Sequence, residues 1–206
     1  MMKNMNTAGK KLKGKDFIGI GIFGVIFLIL FMLCIMIMSM SVYTLPFGVA
    51  LGSFVGASVY MLLRSKTPKR GAIILFGSLF GLIMFGMGSG WPIFVSVFLG
   101  ALIAELIRGG GEQSYFRETM GYAVLMIATA IGSYMPFLLM KEYYLKLAEG
   151  NGIDKEFMVR LVNFINGPYL AFALLLTFLM SISGALLAKK IFQKHLIKAG
   201  FIKEMK

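Results

Sequence analysis

Apolar residues fall along the chain in six long runs, at about positions 17–41, 45–63, 71–87, 91–107, 119–140 and 167–188, with most charged residues in the intervals between them. A helix that crosses the roughly 30 Å hydrocarbon core of a bilayer needs about 20 mostly apolar residues, each rising about 1.5 Å. The six runs meet or approach that length. The pattern predicts an all-α integral membrane protein: one membrane domain over 1–206, with a basic N-terminus at 1–16, a six-transmembrane-helix bundle at 17–188 and a basic tail at 189–206. Only Gly88, Ser89 and Gly90 join the third and fourth runs, which predicts a tight helical hairpin.

One interval has a pattern of its own. Between 141 and 166, charged residues alternate with Tyr143, Tyr144, Leu145, Leu147, Phe157, Val159, Leu161 and Val162, and Gly150-Asn151-Gly152 interrupts them. This predicts two short amphipathic helical pieces between helices 5 and 6, lying on a membrane face. They serve either as a cover over something or as a plain connector.

Composition sharpens the membrane reading. The 206 residues are 58% hydrophobic and 15% charged, with a mean hydropathy of +0.83, against roughly 25% charged residues in an ordinary soluble domain. A net charge of +12 would suit nucleic acid if it formed a basic face on a folded surface. Here the charges sit in short blocks flanking apolar runs, so nucleic acid is not an expected partner and membrane lipid is. The basic block Lys3, Lys10, Lys11, Lys13 and Lys15 resembles the start of a signal peptide, with Ser39-Met40-Ser41 as a cleavage site. The apolar run that follows is longer than the 7 to 15 residues of a secretory core, so it reads as an uncleaved first helix.

Basic residues set the expected orientation. With both termini in the cytoplasm, 17 of the 21 Lys and Arg fall on the inner side. The four on the outer side, Lys141, Lys146, Lys155 and Arg160, stand among Glu142, Glu149, Asp154 and Glu156. An excess of cations inside is the rule for the cell membrane.

Candidate chemistry is sparse. The sequence has no H-E-x-x-H, no G-x-S-x-G and no Walker A loop, so an enzyme is not expected, nor a metal or other cofactor. The single cysteine, Cys34, has no disulfide or zinc companion, and the single histidine, His195, lies in the basic tail. Glu105 is read as the one acidic residue near hydrocarbon. Arg108 stands three residues on, so the two can face each other as a structural pair, with a proton-carrying role as the alternative.

Small residues recur at helical spacing: Gly48, Gly52 and Gly56, then Gly77 and Gly81, Gly100 and Ala104, and Gly184 and Ala188. Such stripes let membrane helices approach closely, either within the bundle or against another subunit.

Four segments carry a resemblance to a known family. They are KGKDFIGIGIF at 13–23, YMLLRSK at 60–66 followed by Gly71, Gly77 and Gly81, GALIAELI at 100–107, and FQKHLIKAG at 192–200. Together they resemble the Trep_Strep family of bacterial membrane proteins, regarded as substrate-binding S components of energy-coupling factor (ECF) transporters, a class of ABC importer. The resemblance implies a protein that captures a vitamin-like or other micronutrient outside the cell and works with a transmembrane T component and two cytoplasmic ATPases. The lack of a phosphate-binding loop agrees with that division of labour. S components often carry a small-x-x-x-small pattern on helix 1 for docking; here Gly19, Gly21 and Gly24 depart from it. The expected partner face therefore combines Gly21 and Gly24 with the helix 2 stripe Gly48, Gly52 and Gly56. Nickel and cobalt S components begin Met-x-His, and this chain begins Met1-Met2-Lys3. The alternative function is a structural or sensory membrane subunit that carries nothing.

The expected substrate site lies in the outer half of the bundle, under the helix 1–2 connection and the 141–166 segment. Residues assigned to it are Tyr43, Trp91, Tyr134, Pro136, Asn163, Asn166 and Tyr169, aromatic faces and amides suited to a mostly apolar pocket. Tyr43 and Trp91 also suit an interfacial aromatic belt, and Asn163 and Asn166 also suit capping.

Overall fold

The computed structural model describes residues 12–109 and 114–197, and these hold helices and no strands. Six helical segments are long and apolar enough to cross a membrane: α1 (Gly14–Met38), α2 (Gly48–Lys66, entered through a 3-10 turn at Leu45–Phe47), α3 (Ala72–Met84, a span only with its continuation to Ser89), α4 (Trp91–Arg108), α5 (Tyr115–Leu139) and α8 (Gly167–Ile191). Two short helices, α6 (Lys141–Gly150) and α7 (Lys155–Phe164), fill the interval between α5 and α8. A wider π-helical turn at Phe85–Ser89 continues α3, and Gly88 and Gly90 then turn the chain at φ 90° and 83°. Those left-handed values suit residues without a Cβ. The basic residues Lys3, Lys10 and Lys11 and the end of the tail lie outside the described residues.

The spanning helices form a closed ring in the order α1, α2, α8, α5, α4, α3, with α2 also meeting α5 across the middle. Glycines hold the ring tight. A Cβ at Gly48, Gly52 or Gly56 would fall within 2.4–2.7 Å of Ile35, Phe31 or Phe27, so the α2 stripe is the socket for the side chains of α1. Phe27 and Phe31 then meet Phe80 of α3 edge-to-face at 5.3 and 5.2 Å, a geometry that aromatic quadrupoles favour. This corrects the expectation that Gly48, Gly52 and Gly56 face a partner: their surface is already occupied by α1. Gly21 and Gly24 differ, since a Cβ there would meet nothing within 4 Å. Elsewhere Gly77 receives Ala101, Gly100 receives Ala128, and Gly184 lies against the Phe54 backbone.

A buried ionic knot closes the end of the bundle at which α1 begins and α8 ends. Arg64 donates to both oxygens of Glu118, at 2.8 and 3.0 Å, and both side chains are fully buried. Arg108 lies 3.4 Å from the same carboxylate and 3.2 Å from Glu105. Other guanidinium donors reach the carbonyls of Thr67 and Pro68, at 2.9 and 2.6 Å, while the buried Arg108 Nε is held by ion pairing without a hydrogen bond. Glu105 does more than pair with Arg108: it accepts from the amides of Gly71 and Ile73 at 3.0 and 3.2 Å, capping α3 from α4. Asp16 and Lys69 join α1 to the same end at 2.5 Å. Glu105 is therefore not the one acidic residue held near hydrocarbon, because Glu118 is buried more completely. Helix α5 begins at Tyr115, a turn before the predicted start at 119, because Glu118 satisfies two arginines and a polar residue is accommodated inside the helix.

Candidate functional site

The opposite end of the bundle is hollow. A cavity of about 890 Å³ opens between α1, α2, α5 and the α3–α4 hairpin, beneath α6 and α7. Phe31 and Ile35 of α1, Val49 of α2, Met84 of α3, Ile93 of α4 and Tyr134 and Phe137 of α5 form its walls. From the roof, Tyr144, Leu147 and Ala148 of α6 and Phe157, Met158 and Leu161 of α7 point to it.

The roof forms for local reasons. Helix α6 ends at Gly150, Gly152 reverses the chain at φ 70°, and Asp154 caps α7 by accepting from the Phe157 amide at 2.7 Å. Such caps satisfy amides that the first turn leaves without intrahelical acceptors. Ala148, Met158, Leu161 and Ile165 form a small apolar cluster of their own, backed by Val42, Leu45 and Phe137.

Two hydrogen bonds fasten the roof to the hairpin. The Tyr144 hydroxyl donates to the Ser89 carbonyl at 3.0 Å, and the Asn151 amide donates to the Gly88 carbonyl at 3.3 Å. Burial pushes the Tyr144 phenol up to about 12, so it remains a donor at neutral pH. The hairpin glycines make this approach possible: a Cβ on Gly90 would lie 2.9 Å from the Tyr144 oxygen.

Polar groups in the cavity are few. The Tyr134 hydroxyl accepts from the Val49 amide at 3.1 Å, which leaves its proton to donate. Ser133 is turned back to the Thr129 carbonyl at 2.8 Å. Among the described residues no group of His, Cys, Asp and Glu could hold a metal ion.

Of the residues assigned from sequence, Tyr134 lines the cavity. Pro136 is buried within the last turns of α5. Tyr43 and Tyr169 instead meet beside the roof, where the Tyr169 hydroxyl donates to the Tyr43 carbonyl at 2.7 Å and both rings pack on Phe164. Asn166 caps α8 by accepting from the Tyr169 amide at 2.9 Å. Asn163 is exposed on α7, and Trp91 is half exposed at the start of α4. Sequence reasoning missed Phe31, Phe137, Tyr144 and Phe157. The amphipathic alternation pointed to Tyr144 and Phe157, but nothing in the uniformly apolar α1 distinguishes Phe31 from its neighbours.

The model of one family matches residues 14–198, nearly the whole chain, and its description is a hypothetical bacterial integral membrane protein, Trep_Strep. The chain belongs to the Trep_Strep family. The six spans of the fold agree with that description of the family as integral membrane proteins. No curated protein and no solved structure matches the chain.

Proposed function

We propose that this Trep_Strep protein is the substrate-capturing S component of an ECF-type importer in the cell membrane, with both termini in the cytoplasm. It takes a micronutrient-sized molecule into the roofed cavity from outside. It then delivers that molecule together with a T component and two cytoplasmic ATPases, none of whose catalytic motifs it carries itself.

The observation that supports this role is the cavity. Its volume of about 890 Å³ lies within the roughly 300–1,000 Å³ of small-molecule sites, and its apolar walls with a few polar groups are typical of them. A purely structural or sensory subunit gains nothing from a void of that size, because every side chain around it forgoes packing contacts. The orientation has separate support. Arg64, Lys66, Lys69, Arg70, Arg117, Lys189 and Lys190 gather at the end opposite the roof, whereas the roof carries basic and acidic residues in equal number. The open face of α1 around Gly21 and Gly24 is the surface offered to the T component.

The test is gentle purification of the tagged chain from its own membranes, followed by mass spectrometry of released small molecules. One organic molecule per chain and co-purified ATPases are expected. A chain that arrives alone, and releases nothing, is the structural or sensory subunit instead. Orientation is read separately by cysteine labelling in intact cells: a cysteine at Glu149 reacts with a membrane-impermeant reagent and one at Lys66 does not. The reverse pattern overturns the topology.

A further inference from the structure

The cavity also has a charge signature, and the class of ligand it implies rests on the cavity being the substrate site. Asp154 is the single lining residue with a formal charge, and no Lys, Arg or His lines the cavity among the described residues. That contrast is sharp in a chain with 21 basic and 9 acidic residues. The two basic residues that follow Asp154 most closely in sequence are each paired with a glutamate: Lys155 with Glu149 at 2.9 Å, and Arg160 with Glu156. Asp154 is solvent-exposed and gives one carboxylate oxygen to the Phe157 amide as a helix cap. Its other oxygen has no hydrogen bond among the described residues.

The walls reinforce the sign. Phe31, Tyr134, Phe137, Tyr144 and Phe157 present aromatic rings to the same space, and the negative face of such a ring attracts cations, more strongly once water is excluded. A carboxylate or phosphate brought into this space would lose hydration with no basic side chain among the lining residues to replace it. We infer that the cavity takes an organic cation, a molecule whose apolar or aromatic body lodges among the wall residues and whose amine- or ammonium-type group lies near Asp154.

Equilibrium dialysis of the full-length chain in detergent, with empty micelles as control, tests this assignment. Three probes of matched shape are compared: (2-naphthylmethyl)trimethylammonium, its neutral isostere with carbon in place of the charged nitrogen, and 2-naphthylacetate. The cation is expected to bind about tenfold more tightly than the neutral isostere, with the carboxylate weakest. Asp154→Asn keeps an oxygen able to cap α7, so the fold is retained. It should weaken the cation about fivefold and leave the neutral isostere unchanged. A carboxylate that binds as tightly as the cation overturns the inference, as does an Asp154→Asn chain whose cation preference is undiminished. So does an anionic molecule released from the purified protein. Those results leave the transport role standing, whereas a chain that holds no molecule of any kind removes that role as well.

Discussion

The two ends of the bundle solve opposite problems with the same six helices. At one end, Arg64, Arg108, Glu105 and Glu118 are withdrawn from solvent and satisfy one another and the carbonyls of the α2–α3 turn. At the other end the helices stand apart around about 890 Å³, and two short amphipathic helices close the gap with side-chain packing and two hydrogen bonds. Buried charges specify one arrangement, since displacing either partner strands the other in a medium that cannot solvate it. Neutral hydrogen bonds to a hairpin contribute about 1 kcal/mol each and can be exchanged for water. The ionic end is thus held by buried charge, and the roofed end by side-chain packing and neutral hydrogen bonds, which yield more readily.

The largest expected effect breaks the fixed end. Glu118→Ala should destabilise the protein by about 3–5 kcal/mol, because Arg64 remains buried without its counter-charge. Thermal unfolding in detergent measures this, and pairing Glu118→Leu with Arg64→Met should restore the part of the loss that comes from Arg64, while Arg108 keeps Glu105 as its partner. An unchanged midpoint in the single variant would remove the knot as the source of rigidity.

A smaller effect separates two kinds of glycine. Gly52→Leu should cost about 1–3 kcal/mol by forcing α2 away from Phe31, as overpacking does. Gly24→Leu should stay within about 0.5 kcal/mol of the parent, because its position opens on free space. The same unfolding assay decides, and the opposite ranking would mean that α1 packs through its other face. If that face docks the T component, Gly24→Leu should also lower the yield of co-purified ATPases.

The smallest effect on stability concerns the roof. Tyr144→Phe and Asn151→Ala should each cost about 1 kcal/mol or less. Together they should nonetheless expose a cysteine placed at Ser133 to soluble thiol reagents and, if the cavity holds a substrate as proposed, speed its release. If release and labelling match the parent chain, α6 and α7 are a static cover and the comparison between the ends loses its dynamic meaning.

The spans were legible because the bilayer imposes a one-dimensional rule: length and apolar content decide whether a segment crosses, whatever it packs against. For the same reason the amphipathic interval announced α6 and α7, and the Gly88-Ser89-Gly90 break announced the hairpin. Glu105 and Arg108, three residues apart on one helix, could also be paired by spacing alone. The partners in the rest of the knot are 54 residues apart in Arg64 and Glu118, and each taken singly resembles a charge flanking a span. The glycine stripe of α2 was visible as a stripe, but whether its socket is filled by α1 or left for another subunit depends on helix rotation. Rotation is poorly encoded in a bundle whose helices are apolar on every side, since lipid and protein neighbours are equally hydrophobic. The cavity follows the same logic. The sequence by itself determined six crossings, a break and a cover, while the inward turn of Phe31 and Phe137 was decided by tertiary packing, because neighbouring apolar positions become distinguishable only when the surrounding helices leave some of them without a partner.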